Sequence, residues 1–259
     1  MMKLIKELYA YREMIFSLVR RDLKGRYKGS ALGFLWTFLN PLFQLCVYTV
    51  VFSVILRNGI EDFYLFLFVA LIPWIFFSTC LSGGASCILC QQDMVKKIYF
   101  PREVLPVAFT CSQFINMLLS FIVVFAALLI SGKGLNFLAL LYLPIIMAVE
   151  FLLALGFVLI CSSVTIYVRD MEYILGIVAM AWQYLTPILY SVDMVPEELL
   201  GLFYLNPMTP IIVAYRDILY YKQPPELGTL LHATILGVVL LFIGIKIFDK
   251  LKRRFVENL

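Results

Sequence analysis

The chain has 259 residues, of which 63% are hydrophobic and only 15% charged, with a net charge of +4. A soluble domain carries about a quarter of its residues charged, so water is excluded as the solvent for most of this chain. No polar interval is long enough to fold alone, which leaves one membrane-embedded unit, residues 29–259, behind a basic segment, residues 1–28.

That opening segment carries Lys3, Lys6, Arg12, Arg20, Arg21, Lys24, Arg26 and Lys28. Between these cations Leu4, Leu8, Ile15, Leu18, Val19 and Leu23 recur at roughly helical spacing. The pattern predicts an amphipathic helix on the membrane surface. A plain basic flank to the first span would carry the same charges. The first apolar run is too long for a signal-peptide core and lacks a clear small-residue cleavage site, so no cleaved leader is expected.

A spanning helix needs about 20 apolar residues. Residues 29–56, 63–92, 104–132, 173–192 and 227–245 contain no Asp, Glu, Lys or Arg, and 134–168 is interrupted only by Glu150. Open strands would leave backbone groups unpaired in lipid, so these runs predict an all-α fold. The expectation is six transmembrane helices, near residues 31–56, 63–84, 104–131, 137–168, 173–191 and 228–248.

Three connections stand out. Residues 93–103 mix Asp93, Lys96, Lys97, Arg102 and Glu103 with Tyr99, Phe100 and Pro101. Such a segment offers a rigid, partly apolar knob to a soluble partner, or it is an ordinary charged loop. A second, tighter turn carries Arg169 and Asp170. Residues 199–215 form a seventh apolar run, at the lower limit for spanning and broken by Asn206-Pro207 and by Pro210. Two half-helices meeting at a proline turn predict an external re-entrant hairpin over 194–217, between spans five and six.

Orientation follows from the basic residues. Most lie in residues 1–28, in the connections after spans two and four, and after span six, as Lys246, Lys250, Lys252, Arg253 and Arg254. The other connections hold only Arg57, Lys133, Arg216 and Lys222. This bias places both termini on the cytoplasmic side.

No G-x-x-x-x-G-K-[ST] loop is present, and His232, inside span six, is the single histidine, which excludes a His-based metal site or triad. Cys87 and Cys90 form C-x-x-C without a second pair, and the six cysteines read as packing residues. Glu150, the one acid within an apolar span, reads as a structural or gating hydrogen bond; a proton-coupled role is the alternative. The exterior connection gathers Tyr184, Tyr190, Phe203, Tyr204, Tyr215, Tyr220 and Tyr221. These fit an interfacial belt, and as a cluster they also fit a path on which sugar rings stack.

Arg20-Arg-Asp-Leu-Lys-Gly-Arg-Tyr-Lys-Gly-Ser-Ala-Leu-Gly-Phe-Leu-Trp36, followed by Asn40-Pro41-Leu42, resembles the amino-terminal signature of ABC-2 type polysaccharide exporter permeases. Those are the membrane subunits for O-antigen, capsule and teichoic-acid export. Lys96 to Glu103 is similar to that family's cytoplasmic coupling segment. Asn206-Pro207-Met208-Thr209-Pro210, with Tyr215-Arg216-Asp217, resembles its external re-entrant region.

The resemblance implies a bacterial cytoplasmic-membrane protein in which two copies form a channel, each docked on a separate ATP-binding cassette ATPase. ATP and Mg belong to that partner, and this chain binds no cofactor and performs no catalysis. Asp93, Lys96, Lys97, Tyr99, Phe100, Pro101, Arg102 and Glu103, with Arg169 and Asp170, would receive the ATPase movement. Arg20, Arg21, Lys24, Arg26 and Lys28 would meet the pyrophosphate head of a lipid-linked polysaccharide, an anion that suits them on physical grounds as well. Tyr184, Tyr190, Phe203 and Tyr204 are the candidates for the glycan path. Membrane lipids are the remaining partners, and no nucleic acid is expected. An ABC-2 permease for a drug or small lipid shares this topology. A polytopic lipid-linked sugar transferase would cluster acids, Arg or His at one membrane face, and an ion-driven transporter would have Glu150 alone as its coupling group.

Overall fold

Backbone groups in hydrocarbon must pair within their own segment, and every regular element among the described residues is helical. The computed structural model describes residues 2–57 and 59–259; the side chains of residues 2–4, 27 and 256 lie outside the described set, including those of Lys3 and Leu4. Helices α1 (Met2–Ala10) and α2 (Arg12–Tyr27) form a nearly continuous arm. Its hydrogen-bond ladder passes through Tyr11, whose amide reaches the Glu7 carbonyl and whose carbonyl accepts the Ile15 amide. Helix α3 (Trp36–Thr49) runs on into a π-helical turn, Val50–Ile55. Then follow α4 (Phe63–Ala85), α5 (Gln92–Lys97), α6 (Val104–Ile130), α7 (Phe137–Leu140) and α8 (Leu143–Thr165). The chain ends with α9 (Met171–Leu185), α10 (Glu197–Leu205), α11 (Met208–Leu219), α12 (Leu227–Leu251) and α13 (Phe255–Asn258).

Among the described residues five stretches are long and apolar enough to cross a bilayer: Gly33–Ile55, Phe63–Ala85, Val104–Ile130, Phe137–Thr165 and Leu227–Arg254. Three boundaries differ from expectation. The single helix over 137–168 is interrupted at Leu141-Tyr142, after Asn136 caps α7 by accepting the Leu138 amide at 3.0 Å, and it ends at Thr165. The run 173–191 is helical only to Leu185. Fifteen residues span about 22 Å at 1.5 Å each, short of roughly 30 Å of hydrocarbon. Beyond Leu185 the chain turns extended at Thr186, whose hydroxyl donates back to the Trp182 carbonyl at 2.9 Å. In the run 199–215, Asn206-Pro207 makes the only break; Pro210 sits in the first turn of α11, where a missing amide costs no intrahelical bond.

Helix α4 lies at the centre, in contact with α3, α6, α8, α9 and α11. Phe77 meets Phe157 and Trp182 edge-on, with ring centroids 5.5 and 5.3 Å apart. The closest pairing is α8 against α12, and glycine makes it possible. A Cβ on Gly244 would stand 2.6 Å from the Gly156 carbonyl oxygen, and one on Gly156 would stand 2.8 Å from backbone atoms of Leu240 and Leu241. Small residues at such a crossing let two backbones touch. By contrast α3 and its extension turn Leu42, Phe43, Val47, Val50, Val54 and Ile55 outward.

The bundle has two distinct ends. At one, Glu103 beside the start of α6 pairs with Lys252 at the end of α12, and the Tyr167 hydroxyl donates to the Leu251 carbonyl at 2.8 Å. At the other, Lys133 pairs with Asp62 at 2.7 Å, Asn136 donates to the Lys222 carbonyl at 2.9 Å, and Tyr220 donates to the Glu61 carbonyl at 2.5 Å. The Asp62 carboxylate holds the Lys133 ammonium above the usual lysine range.

Candidate substrate groove and coupling face

Two stripes on α2 make the groove. Ile15, Val19 and Leu23 recur every fourth residue, and so do Arg20, Lys24 and Lys28, one position further round the helix. The apolar stripe faces Cys111, Ile115 and Leu119 of α6, and the basic stripe forms the rim together with Arg12. Between them lies a groove of about 830 Å³ with Phe16 and Phe34 completing its apolar lining. An apolar trough edged by cations is complementary in its two surfaces to an anionic amphiphile.

The other two basic residues of α2 have different work. Arg21 donates to the Gln91 side chain at 2.8 Å, just ahead of α5. Arg26 holds Asp22 at 2.8 Å and reaches Gln113 at 3.1 Å, while the Ser112 hydroxyl donates to Asp22 at 2.5 Å. These bonds fasten α2 to α6. Of the five cations expected around a headgroup, the structure therefore brings three to the groove and gives two to docking.

Residues 93–103 are sorted by burial. Asp93, Lys96, Lys97 and Ile98 are exposed, and Tyr99 is 88% exposed, whereas Phe100 and Glu103 are buried and Pro101 and Arg102 lie between. The charged helix α5 and the Ile98-Tyr99 tip thus protrude, while Phe100 anchors the segment in the core. Glu103 is held by Lys252, which also pairs with Asp249 at 2.6 Å. A cleft of about 430 Å³ opens beside the tip, lined by Tyr11, Tyr99, Arg102, Glu103 and Lys252. Arg169 and Asp170 are exposed on the turn between α8 and α9, at this same end through the Tyr167 bond to Leu251.

The four aromatic candidates at the opposite end do not form one surface. Tyr190 packs edge-on against Phe203 with centroids 6.2 Å apart, and its hydroxyl donates to the Tyr184 carbonyl at 2.8 Å. The Tyr184 ring itself is exposed, and Tyr204 lies apart, beside His232. Two residues read from sequence only as parts of the re-entrant stretch organise this end. Asn206 accepts from Trp182 Nε1 at 2.9 Å and from the Met208 amide at 3.0 Å, and donates to the Leu185 carbonyl and the Thr186 hydroxyl. Arg216, 3% exposed, donates to the carbonyls of Ile188 at 2.6 Å and Tyr190 at 3.1 Å and lies 3.6 Å over the Phe66 ring. Asn206 holds the chain leaving α9 against the turn between α10 and α11, and Arg216 holds the turns that follow against α11.

Glu150 is fully buried and accepts from the Tyr215 hydroxyl at 2.6 Å, with Phe121 stacked on the tyrosine ring. Among the described residues no cation lies within ion-pair distance of it. The contact ties α8 to α11.

A family model described as ABC-2 type transporter matches residues 13–220. Over the full length of both chains the protein is 34% identical to the O-antigen export system permease protein RfbA of Myxococcus xanthus. It is 31% identical to the protein of the same name from Klebsiella pneumoniae, over 95% of each chain. It is 22% identical to the polysialic acid transport protein KpsM of Escherichia coli, over 90% of this chain and 91% of that one.

Proposed function

The chain belongs to the ABC-2 type transporter family, and on that premise we propose that it is the membrane permease subunit of a polysaccharide exporter. It moves a lipid-linked polymer of O-antigen, capsule or teichoic-acid type across the bacterial cytoplasmic membrane. A separate ATP-binding cassette subunit binds ATP and Mg and supplies the energy. The observation that carries this reading is the groove between α2 and α6, whose apolar floor and cationic rim match a lipid with a pyrophosphate head.

In this reading α9 and the extended residues after it make a sixth crossing, because the chain passes from the Tyr167–Leu251 contact at one end to the Arg216 cage at the other. Both termini then lie in the cytoplasm, and α10 and α11 form the external re-entrant hairpin. Two copies enclose the conduit, and the outward apolar row of α3 faces lipid or the second copy. Asp93, Lys96, Lys97 and Tyr99 dock the ATPase, with Arg169 and Asp170 beside them. Phe100 and the Glu103–Lys252 pair carry its movement into α6 and α12. Arg20, Lys24 and Lys28 receive the headgroup, and the docking bonds of Arg21 and Arg26 set the position of the helix that bears them.

Replacing Arg20, Lys24 and Lys28 together by alanine should stop export of the polymer while the permease–ATPase complex still assembles. Undiminished export by that variant overturns the groove assignment. Reversing charge at Lys96 and Lys97 together with Tyr99→Asp should release the ATPase during co-purification. Intact co-purification overturns the coupling assignment.

A further inference from the structure

At the end of the bundle remote from the coupling face lies a cleft of about 260 Å³, the volume of roughly eight waters at ~30 Å³ each. Ser191, Asp193, Tyr204, Asp217, Tyr221 and Glu226 line it, and Arg216 stands in its wall. The carboxylates converge on Tyr204. Its phenol is held above the usual tyrosine range, first by partial burial and then by Glu226, Asp217 and Asp193.

Among the described residues none of these three acids has an ion-pair partner. Asp193 accepts from the Ser191 hydroxyl at 2.9 Å and Asp217 from Gln223 at 3.4 Å, which leaves acceptor capacity on each. Arg216 uses its terminal nitrogens on backbone carbonyls, and its Nε–H is buried with no acceptor. A buried donor without a partner is uncommon. Among the described residues no group of acids, histidines or cysteines is arranged to hold a metal ion, so the carboxylates are placed to accept hydrogen bonds.

An uncharged sugar suits this set. Hydroxyl groups donate strongly to carboxylates. Tyr204 and Tyr221 add aromatic surface to the lining, which suits the C–H side of a pyranose. An acidic sugar would instead meet three carboxylates against the single guanidinium of Arg216, whose terminal nitrogens are already taken by carbonyls, in a site partly withdrawn from water.

We propose that this cleft is a sugar-binding subsite on the exit side, accepting uncharged sugar units and rejecting uronic acids. It rests on the exporter reading above and narrows the cargo to polymers whose units are uncharged at this face.

The test is saturation-transfer NMR on the full chain in nanodiscs. The probes are methyl glycosides of glucose, galactose, mannose and rhamnose, against those of glucuronic and galacturonic acid. At least one neutral glycoside should receive transfer, with both acidic ones bound at least about tenfold more weakly. Tyr204→Ala should abolish the neutral signal. The triple variant Asp193→Asn, Asp217→Asn, Glu226→Gln should raise the acidic glycosides to the neutral level, a gain that a misfolded chain cannot produce. Equal transfer to both classes, transfer to neither, or an unchanged preference in the triple variant overturns the proposal. The export and co-purification assays read the other end of the molecule. Failure here therefore leaves the exporter reading standing, and their failure with this preference intact removes that reading alone.

Discussion

Substituting Gly244 by alanine adds a methyl group where α12 has least room. The new Cβ would stand 2.6 Å from the Gly156 carbonyl oxygen and 3.2 Å from its Cα and carbonyl carbon. Favourable carbon contacts lie at about 3.5–4.0 Å, so the intrusion is several tenths of an ångström or more. Every obstructing atom is backbone of α8, and no side chain can swing aside. The two helices must therefore separate, loosening contacts along their shared length. Overpacking of this kind costs about 1–3 kcal/mol, against which alanine returns up to about 1 kcal/mol of helix propensity. Gly176→Ala is the control, because a Cβ there meets nothing within 4 Å and gains the propensity alone. The two variants should differ by about 2 kcal/mol, roughly thirtyfold in the unfolding equilibrium. Unfolding in mixed micelles of rising dodecyl sulfate content, followed by fluorescence of Trp74 and Trp182 in the core, measures the difference. If Gly244→Ala unfolds no earlier than Gly176→Ala, α8 and α12 do not cross in backbone contact.

Three further outcomes follow from single contacts. Glu150→Gln keeps an acceptor for Tyr215 and should preserve stability and export, whereas Glu150→Leu strands a buried phenol and should cost about 1–3 kcal/mol in the same unfolding assay. Lost export in Glu150→Gln at full stability would instead assign proton transfer to that carboxyl. Asn206→Ala removes the acceptor of both Trp182 Nε1 and the Met208 amide and should destabilise by about 2–3 kcal/mol with a shifted tryptophan emission; an unaltered spectrum and midpoint refute the hub. Lys252→Ala leaves Glu103 buried without its cation, and because Lys252 is itself partly exposed the cost should be about 1–2 kcal/mol. Lys252→Arg should recover most of it, and equal loss in both variants refutes the pairing.

The long helices were legible because lipid imposes a simple requirement. The starts of α4, α6 and α12 lie within a residue of the limits drawn from charge-free runs. Apolarity, however, cannot separate a helix from an apolar extended segment. Residues 186–191 satisfy the hydropathy of a span yet leave the helix: Asn206 takes the Leu185 carbonyl and the Thr186 hydroxyl, and Arg216 takes the carbonyls of Ile188 and Tyr190. The arm at residues 1–28 was legible from its two stripes. The split among its cations was not, since it depends on Gln91, Ser112 and Gln113, which are distant in sequence and carry no charge. Arg216 was visible as one of a few external cations and as part of the stretch that resembles a re-entrant region, but not as the centre of a cage. Its partners are carbonyls and a ring face, which leave no mark in a charge pattern.

Arg216 is also the last part of its cage to be made. Phe66, Ile188 and Tyr190 all precede it in the chain. A ribosome adding roughly 5–20 residues per second leaves Tyr190 a few seconds ahead of the arginine. The carbonyls and the aromatic face are therefore synthesised before the guanidinium that they receive. A fragment beginning after Tyr190 would carry the charge without any of these three partners. Two carbonyl dipoles and a ring face, all encoded upstream of the arginine, here stand in for a counter-ion.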